Sequence, residues 1–250
     1  MEEIVSESLQ LLAHTDFTDE VAIWKRLQGL GDIMKGSLKK GISHLQEAIA
    51  IFSNSPARDE HLYNLAAAYS WIGEAFRHSM EYEKAMEYYE KALKISGSNF
   101  LVSGVSVFYA YAGMAACDNG SLCSAEKYLT ESIARYEQGN LMWGRSLPYS
   151  YYSRILLEKG ACSEALAHLK TALGYAEKLE NPYEMGIIYR IYAQIKAGIY
   201  SACDNDISVQ NALPADAAYY YHEACRMLRD VYSPVDEQYL DAVAEKISEN

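Results

Sequence analysis

The side chains of this chain that could do chemistry are five cysteines, six histidines and a scatter of carboxylates, and their spacing argues against catalysis. Cys117, Cys123, Cys162, Cys203 and Cys225 contain no Cys-x2-Cys pair, and no His–Cys interval suits a zinc site. His14, His44, His61, His78, His168 and His222 are dispersed. No Gly-x-Ser-x-Gly elbow, no Gly-rich loop ending in Lys-Ser/Thr and no His-Glu-x2-His helix occurs, so nucleophilic, phosphoryl-transfer and zinc-hydrolytic mechanisms lack their parts. His78 and His168 have no partner motif and read as helix-surface residues. The expectation is a chain without enzymatic activity, metal or cofactor. The odd number of cysteines, at positions where small residues recur, reads as reduced, buried small hydrophobes, which implies a reducing compartment.

Charge narrows the partners. With 22 Lys+Arg against 34 Asp+Glu the formal net charge is −12, which opposes unassisted binding to nucleic acid or anionic lipid. Residues 1–12, MEEIVSESLQLL, are acidic and resemble neither a signal nor a transit peptide. No run of 18 apolar residues occurs, so no span of a membrane is predicted. The cytoplasm is the default location.

What must position any functional side chain is helical. In Tyr69–Leu93, Tyr69, Ile72, Gly73 and Phe76 fall on one face of a first helix, and Ala85, Tyr89 and Ala92 on one face of a second. The pattern recurs. Gly73, Gly113, Ser153 and Ala193 are small residues at a step of 40, and Tyr69, Tyr109, Tyr149 and Tyr189 keep the same step. Ala85, Ala125 and Ala165 do so in the second helices, each followed four residues later by Tyr89, Leu129 or Leu169. Small residues where antiparallel helices approach, and large ones between them, describe stacked helical hairpins that bury their faces only against neighbours.

This order, large-x2-aliphatic-Gly-x2-aromatic and then Ala-x3-aromatic-x2-Ala, resembles the tetratricopeptide repeat. Tyr69 stands where that repeat has Trp, and Gly97 where it has Pro. The resemblance implies an all-α, right-handed α-solenoid of antiparallel helix pairs. Five repeats are expected, over 18–54, 57–96, 100–138, 142–179 and 183–232, with an N-terminal helix at 2–13 and a capping helix at 236–248. In that last helix Tyr239, Leu240, Val243 and Ile247 share one side, while Asp236, Glu237, Asp241, Glu245 and Lys246 form a polar outer face. The unpaired opening helix suggests a segment of a longer protein. Pro148 leaves the start of its helix open. Ala217 follows Ala165 by 52 residues, 12 beyond the period, and the surplus is a polar insertion at 203–213, either a functional excursion or a tolerated surface loop.

In the resembled family, first helices line a concave groove for a peptide or partner helix. By register these positions are Ser70, Trp71, Glu74, Arg77 and His78; Tyr111, Met114 and Asp118; Tyr151, Arg154 and Glu158; and Arg190 and Gln194. Family members that grip acidic chaperone tails use a Lys, Asn and Arg clamp, which Ser70, Glu74, Tyr111, Leu147 and Tyr151 do not reproduce. The 40-residue step is similar to arrays in MalT-like and signalling-ATPase regulators of bacteria. Three functions stay open: a non-catalytic scaffold or sensor that binds a protein or peptide, an inducer-sensing region of a transcription or signalling regulator, and a self-associating module that admits a homodimer. No direct nucleic-acid or membrane partner is expected.

Overall fold

The computed structural model describes residues 7–8, 18–97, 104–203 and 206–249, and among them every regular element is a helix. Beyond residues 7 and 8, the helix expected at 2–13 lies outside the described residues. The α-helices are α1 (Thr18–Met34), α2 (Leu38–Asn54), α3 (Leu62–His78), α4 (Tyr82–Gly97), α5 (Val105–Asp118) and α6 (Leu122–Gln138). Then follow α7 (Ser146–Glu158), α8 (Cys162–Lys178), α9 (Pro182–Lys196), α10 (Ile207–Ala212), α11 (Ala217–Leu228) and α12 (Pro234–Ser248). They form two compact units, Met1–Ala112 and Gly113–Asn250.

Hairpin turns repeat one backbone device. Met80, Gly120 and Gly160, each 40 residues from the next, have φ of 59°, 73° and 74°. At each turn the following N–H reaches back five residues: Glu81 to the Phe76 carbonyl at 2.9 Å, Ser121 to Ala116 at 2.8 Å and Ala161 to Leu156 at 2.8 Å. These bonds satisfy carbonyls orphaned at the helix end, and the left-handed residue reverses the chain. Glycine adopts that conformation without strain; Met80 does so against its Cβ. Pro148 falls in the first turn of α7, where its missing N–H has no intrahelical acceptor to lose.

In the first unit α1 pairs with α2 and α3 with α4. Ile33, Leu45, Ala68, Ile72 and Ala75 form one buried cluster, and Ala22, Ala48, Phe52 and Leu65 another. A Cβ on Gly73 would stand 2.6 Å from the Tyr89 ring, so only glycine lets α3 and α4 close at this point. In the second unit α7 pairs with α8 and α9 with α11. A Cβ on Gly113 would lie 2.6 Å from Leu129, which places α5 on α6 in the same manner. The next small residues at this step, Ser153 and Ala193, are fully buried.

The cysteine expectation needs correction. Cys162, the first residue of α8, is disulfide-bonded to Cys203 at the start of the insertion. Cys123 is exposed and Cys225 half-buried, leaving Cys117 as the free cysteine that is buried. The argument for a reducing compartment falls with that bond. Among the described residues no helix is long and apolar enough to cross a membrane.

Candidate functional site

Most of the polar residues assigned to a groove by register fall into two assemblies, one in each unit. In the first, Ser70, Trp71, Glu74, Arg77 and His78 share α3, and Trp71 alone among them is not buried. His78 is therefore buried, contrary to its reading as a surface residue. Arg77 Nε donates to Glu74 Oε1 and Oε2 at 3.0 and 3.2 Å, and its Nη2 donates to Oε2 at 2.9 Å. The Tyr89 hydroxyl, arriving from α4, donates to the same carboxylate, and His78 Nε2 stands 4.0 Å from Glu74 Oε2. Tyr111 stacks 6.4 Å from Tyr89 and lies 5.7 Å from the Trp71 ring.

Burial alone would raise the Glu74 carboxyl, but the charge and hydrogen bonds of Arg77 outweigh it and hold the group below the ordinary carboxylate range. Burial, followed by the charge of Glu74, pushes the Tyr89 phenol well up, so it remains a protonated donor. Taking two charges out of water costs several kcal/mol per ion in order of magnitude, which only close and fully bonded geometry offsets. Glu74 has that geometry, and it bolts α3 to α4.

The second unit gathers Asp118, Arg154, Arg190 and Gln194 from the ends or middles of α5, α7 and α9. Arg154 Nη1 donates to Asp118 Oδ1 at 2.9 Å, with the Asp118 side chain fully buried. Arg190 Nη1 reaches Gln194 Oε1 at 3.4 Å. The residue that joins these helices is Tyr239 of α12. Its hydroxyl donates to Asp118 Oδ1 at 2.9 Å and accepts from Arg154 Nη2 at 2.5 Å. Both guanidinium carbons, Arg154 and Arg190, lie 4.4 Å from the Tyr239 ring centre.

Two cations at one ring repel each other, and each has its own carboxylate. Arg190 Nε is 2.9 Å from Asp236 Oδ1, also on α12. Neither of those two atoms completes a hydrogen bond, so the contact is one of charge without alignment. Asp236 Oδ2 accepts from Ser233 Oγ at 2.5 Å, and Ser233 caps α12 ahead of Pro234. Asp236 is thus 2% exposed and turned inward, a correction to its place on a polar outer face. Tyr151 packs beneath Arg154 at 5.0 Å, Met114 is fully buried, and Glu158 is exposed.

Sequence reasoning missed Tyr239, Asp236 and the disulfide. Tyr239 sits in an ordinary amphipathic stripe, and α12 lies after the last repeat, where the step of 40 gives no register. The disulfide did leave a trace: its cysteines are 41 residues apart, close to one repeat, a spacing that puts equivalent points of adjacent hairpins side by side. Among the described residues no group of three or more His, Cys, Asp or Glu is placed to hold a metal.

With this geometry in hand, likeness to known proteins becomes informative. Residues 62–99 match the family model described as tetratricopeptide repeat. No curated protein matches the sequence. Among solved structures, aspartyl phosphate phosphatase F from Bacillus subtilis is 14% identical with a TM-score of 0.66, over 98% of this chain and 64% of that one. The Rap conjugation gene regulator of plasmid pLS20, in complex with the Phr* peptide, is 15% identical with a TM-score of 0.64, over 91% of this chain and 70% of that one. A Podosopora anserina putative kinesin light chain with TPR-like repeats is 15% identical with a TM-score of 0.56, covering 86% of this chain and all of that one. At such identities the likeness is one of fold, and this chain spans less than two thirds of the first of these proteins. The fold is an all-α array of tetratricopeptide type.

Proposed function

We propose that this tetratricopeptide-type array is a non-catalytic interaction module that takes a peptide or partner helix on the face shared by the end of α5, α7 and α9. The observation that carries the reading is α12 itself. A helix that merely capped the last hairpin would touch that hairpin, yet Tyr239 reaches Arg154 and Asp118, 85 and 121 residues before it. First-helix side chains from three successive hairpins converge on one aromatic residue of a docked helix. The face therefore has the chemistry to hold a helix that presents a tyrosine and, three residues before it, an aspartate. Arg and Tyr anchors of this kind carry a disproportionate share of interface energy.

The fold-mate crystallised with the Phr* peptide supports a peptide-binding role by analogy of architecture alone. Another fold-mate is named a phosphatase; for this chain we expect no phosphatase turnover, since no catalytic set accompanies the face.

On this reading α12 occupies the site from within, and an external helix binds by displacing it. The test is a fluorescent peptide with the sequence of residues 234–248, titrated into the full chain and into Tyr239→Ala, with circular dichroism to check folding. At least tenfold tighter binding to the variant is expected, because the internal competitor has lost its anchor while the added peptide keeps it. A peptide that binds neither protein, or both equally, overturns the reading.

A further inference from the structure

None of the side chains named at that face comes from the 203–213 insertion, whose described residues serve elsewhere in the fold. The Cys162–Cys203 disulfide fastens its beginning to the first residue of α8. Its helix α10 packs against α8, and Val209 and Leu213 are buried at 2% and 3% exposure. An insertion held at one end and buried at Val209 and Leu213 is a built wall.

Beside this wall is a cavity of about 480 Å³, lined by Leu166, Ala167, Lys170 and Leu173 of α8, Tyr189 and Tyr192 of α9, Ala212 and Leu213 of the insertion, and Tyr220 of α11. It is a cleft open to solvent, with Ala167, Lys170 and Ala212 exposed at its rim, and its volume is within the range of small-ligand sites. Tyr189, Tyr192 and Tyr220 form a mutual aromatic triad, with ring centres 5.4 to 6.1 Å apart. Such rings offer faces and edges to an apolar or planar guest. The lining residues include no carboxylate, although Glu177 and Glu223 stand near enough for their charge to bear on Tyr189, and the single charge in the lining is the exposed Lys170.

We propose that this cavity is a binding site for a small aromatic or apolar carboxylate, its hydrophobic body against Tyr189, Tyr192 and Tyr220 and its acid group on Lys170. An uncharged guest would gain at most a hydrogen bond from Lys170, a carboxylate gains a charge-assisted one, and a cationic guest would be opposed by it. Burial, followed by neighbouring tyrosines and the charge of Glu177, raises the Tyr192 phenol above its ordinary value, so the ring stays neutral. The disulfide holds one wall in place before the ligand arrives, which lowers the ordering cost of binding.

The experiment uses the full chain and three probes, 4-phenylbutyrate, 4-phenylbutan-1-ol and N-acetyl-leucinamide, read by calorimetry and by methyl shifts of Leu166, Leu173 and Leu213. Saturable binding of the acid is expected, with those three methyls moving together. Lys170→Glu, a change at an exposed position, should weaken the acid about five- to tenfold and leave the alcohol within about twofold, as expected for one partly exposed charge contact. Ala167→Trp, which fills the cavity from its exposed rim, should abolish binding of both. No saturation by the acid, an acid affinity unmoved by Lys170→Glu, or undiminished binding to Ala167→Trp would each overturn the proposal. If N-acetyl-leucinamide bound as tightly as the acid and ignored Lys170→Glu, the cavity would instead be a pocket for a peptide side chain. Tyr239→Ala should leave every one of these results unchanged, which keeps this test separate from that of the α12 face.

Discussion

The two polar assemblies are built from similar parts and hold the molecule in different ways. Around Glu74 all partners come from a single hairpin: Arg77 is one turn along α3, and Tyr89 descends from α4 beside Gly73. Around Tyr239 the partners come from α5, α7, α9 and α12, separated by 85 to 121 residues where the hydroxyl bonds are concerned. The first assembly is closed as soon as its hairpin forms. The second requires a distant helix to arrive, and that helix carries the key ring. A lock within one repeat is a stability element; a lock between repeats and a terminal helix is a seat that an equivalent helix can take.

That contrast can be broken from the largest effect downward. Arg77→Leu leaves the Glu74 carboxylate buried without its cation and should cost ~3–5 kcal/mol, seen as a lower urea midpoint with global loss of helicity. Tyr239→Phe removes two hydroxyl bonds and keeps the ring between the guanidiniums. It should cost ~1–2 kcal/mol, registered as local protease sensitivity in 234–248 with little change in the urea midpoint of the remainder. Equal and global effects from both substitutions would erase the distinction.

Acid should act on the first assembly. Since Arg77 holds the folded-state Glu74 value below the ordinary one, the stabilisation is fully present above the usual carboxylate range and fades as pH falls through the lower folded-state value. The difference in unfolding free energy between the native chain and Glu74→Gln should therefore be widest near neutrality and narrow toward pH 3. The smallest effect concerns the turn next to this lock. Met80→Gly, at φ 59° where the following hairpins have Gly120 and Gly160, should gain about 0.5–1 kcal/mol, measured by thermal unfolding.

Much of the fold was legible because hairpin packing forces its own periodicity. Gly73 and Gly113 had to be small for Tyr89 and Leu129 to sit on them, and Gly120 had to be permissive for the chain to turn. The site was less legible for a physical reason. Register placed Asp118, Arg154 and Arg190 on one face, but register says nothing of what covers that face, and their burial depends on a helix outside the repeats. Glu74 and Arg77 show the opposite case: three residues apart and of opposite charge, they could have been paired from the sequence, yet nothing there announced that Tyr89 would complete the bond. The cavity beside the insertion depends on Tyr220, brought in by the packing of α11 on α9, and on Leu213 of the insertion, which lies outside the step of 40.

Native-state amide hydrogen exchange of the full chain, comparing α12 with α3, tests the central claim that α12 is a displaceable occupant. The prediction is that amides of Val235–Ser248 exchange through a local opening well below the free energy of α3, and that Tyr239→Phe accelerates α12 while leaving α3 unchanged. Exchange of α12 only in the same global event as α3, in both proteins, would contradict it and make α12 part of the permanent core.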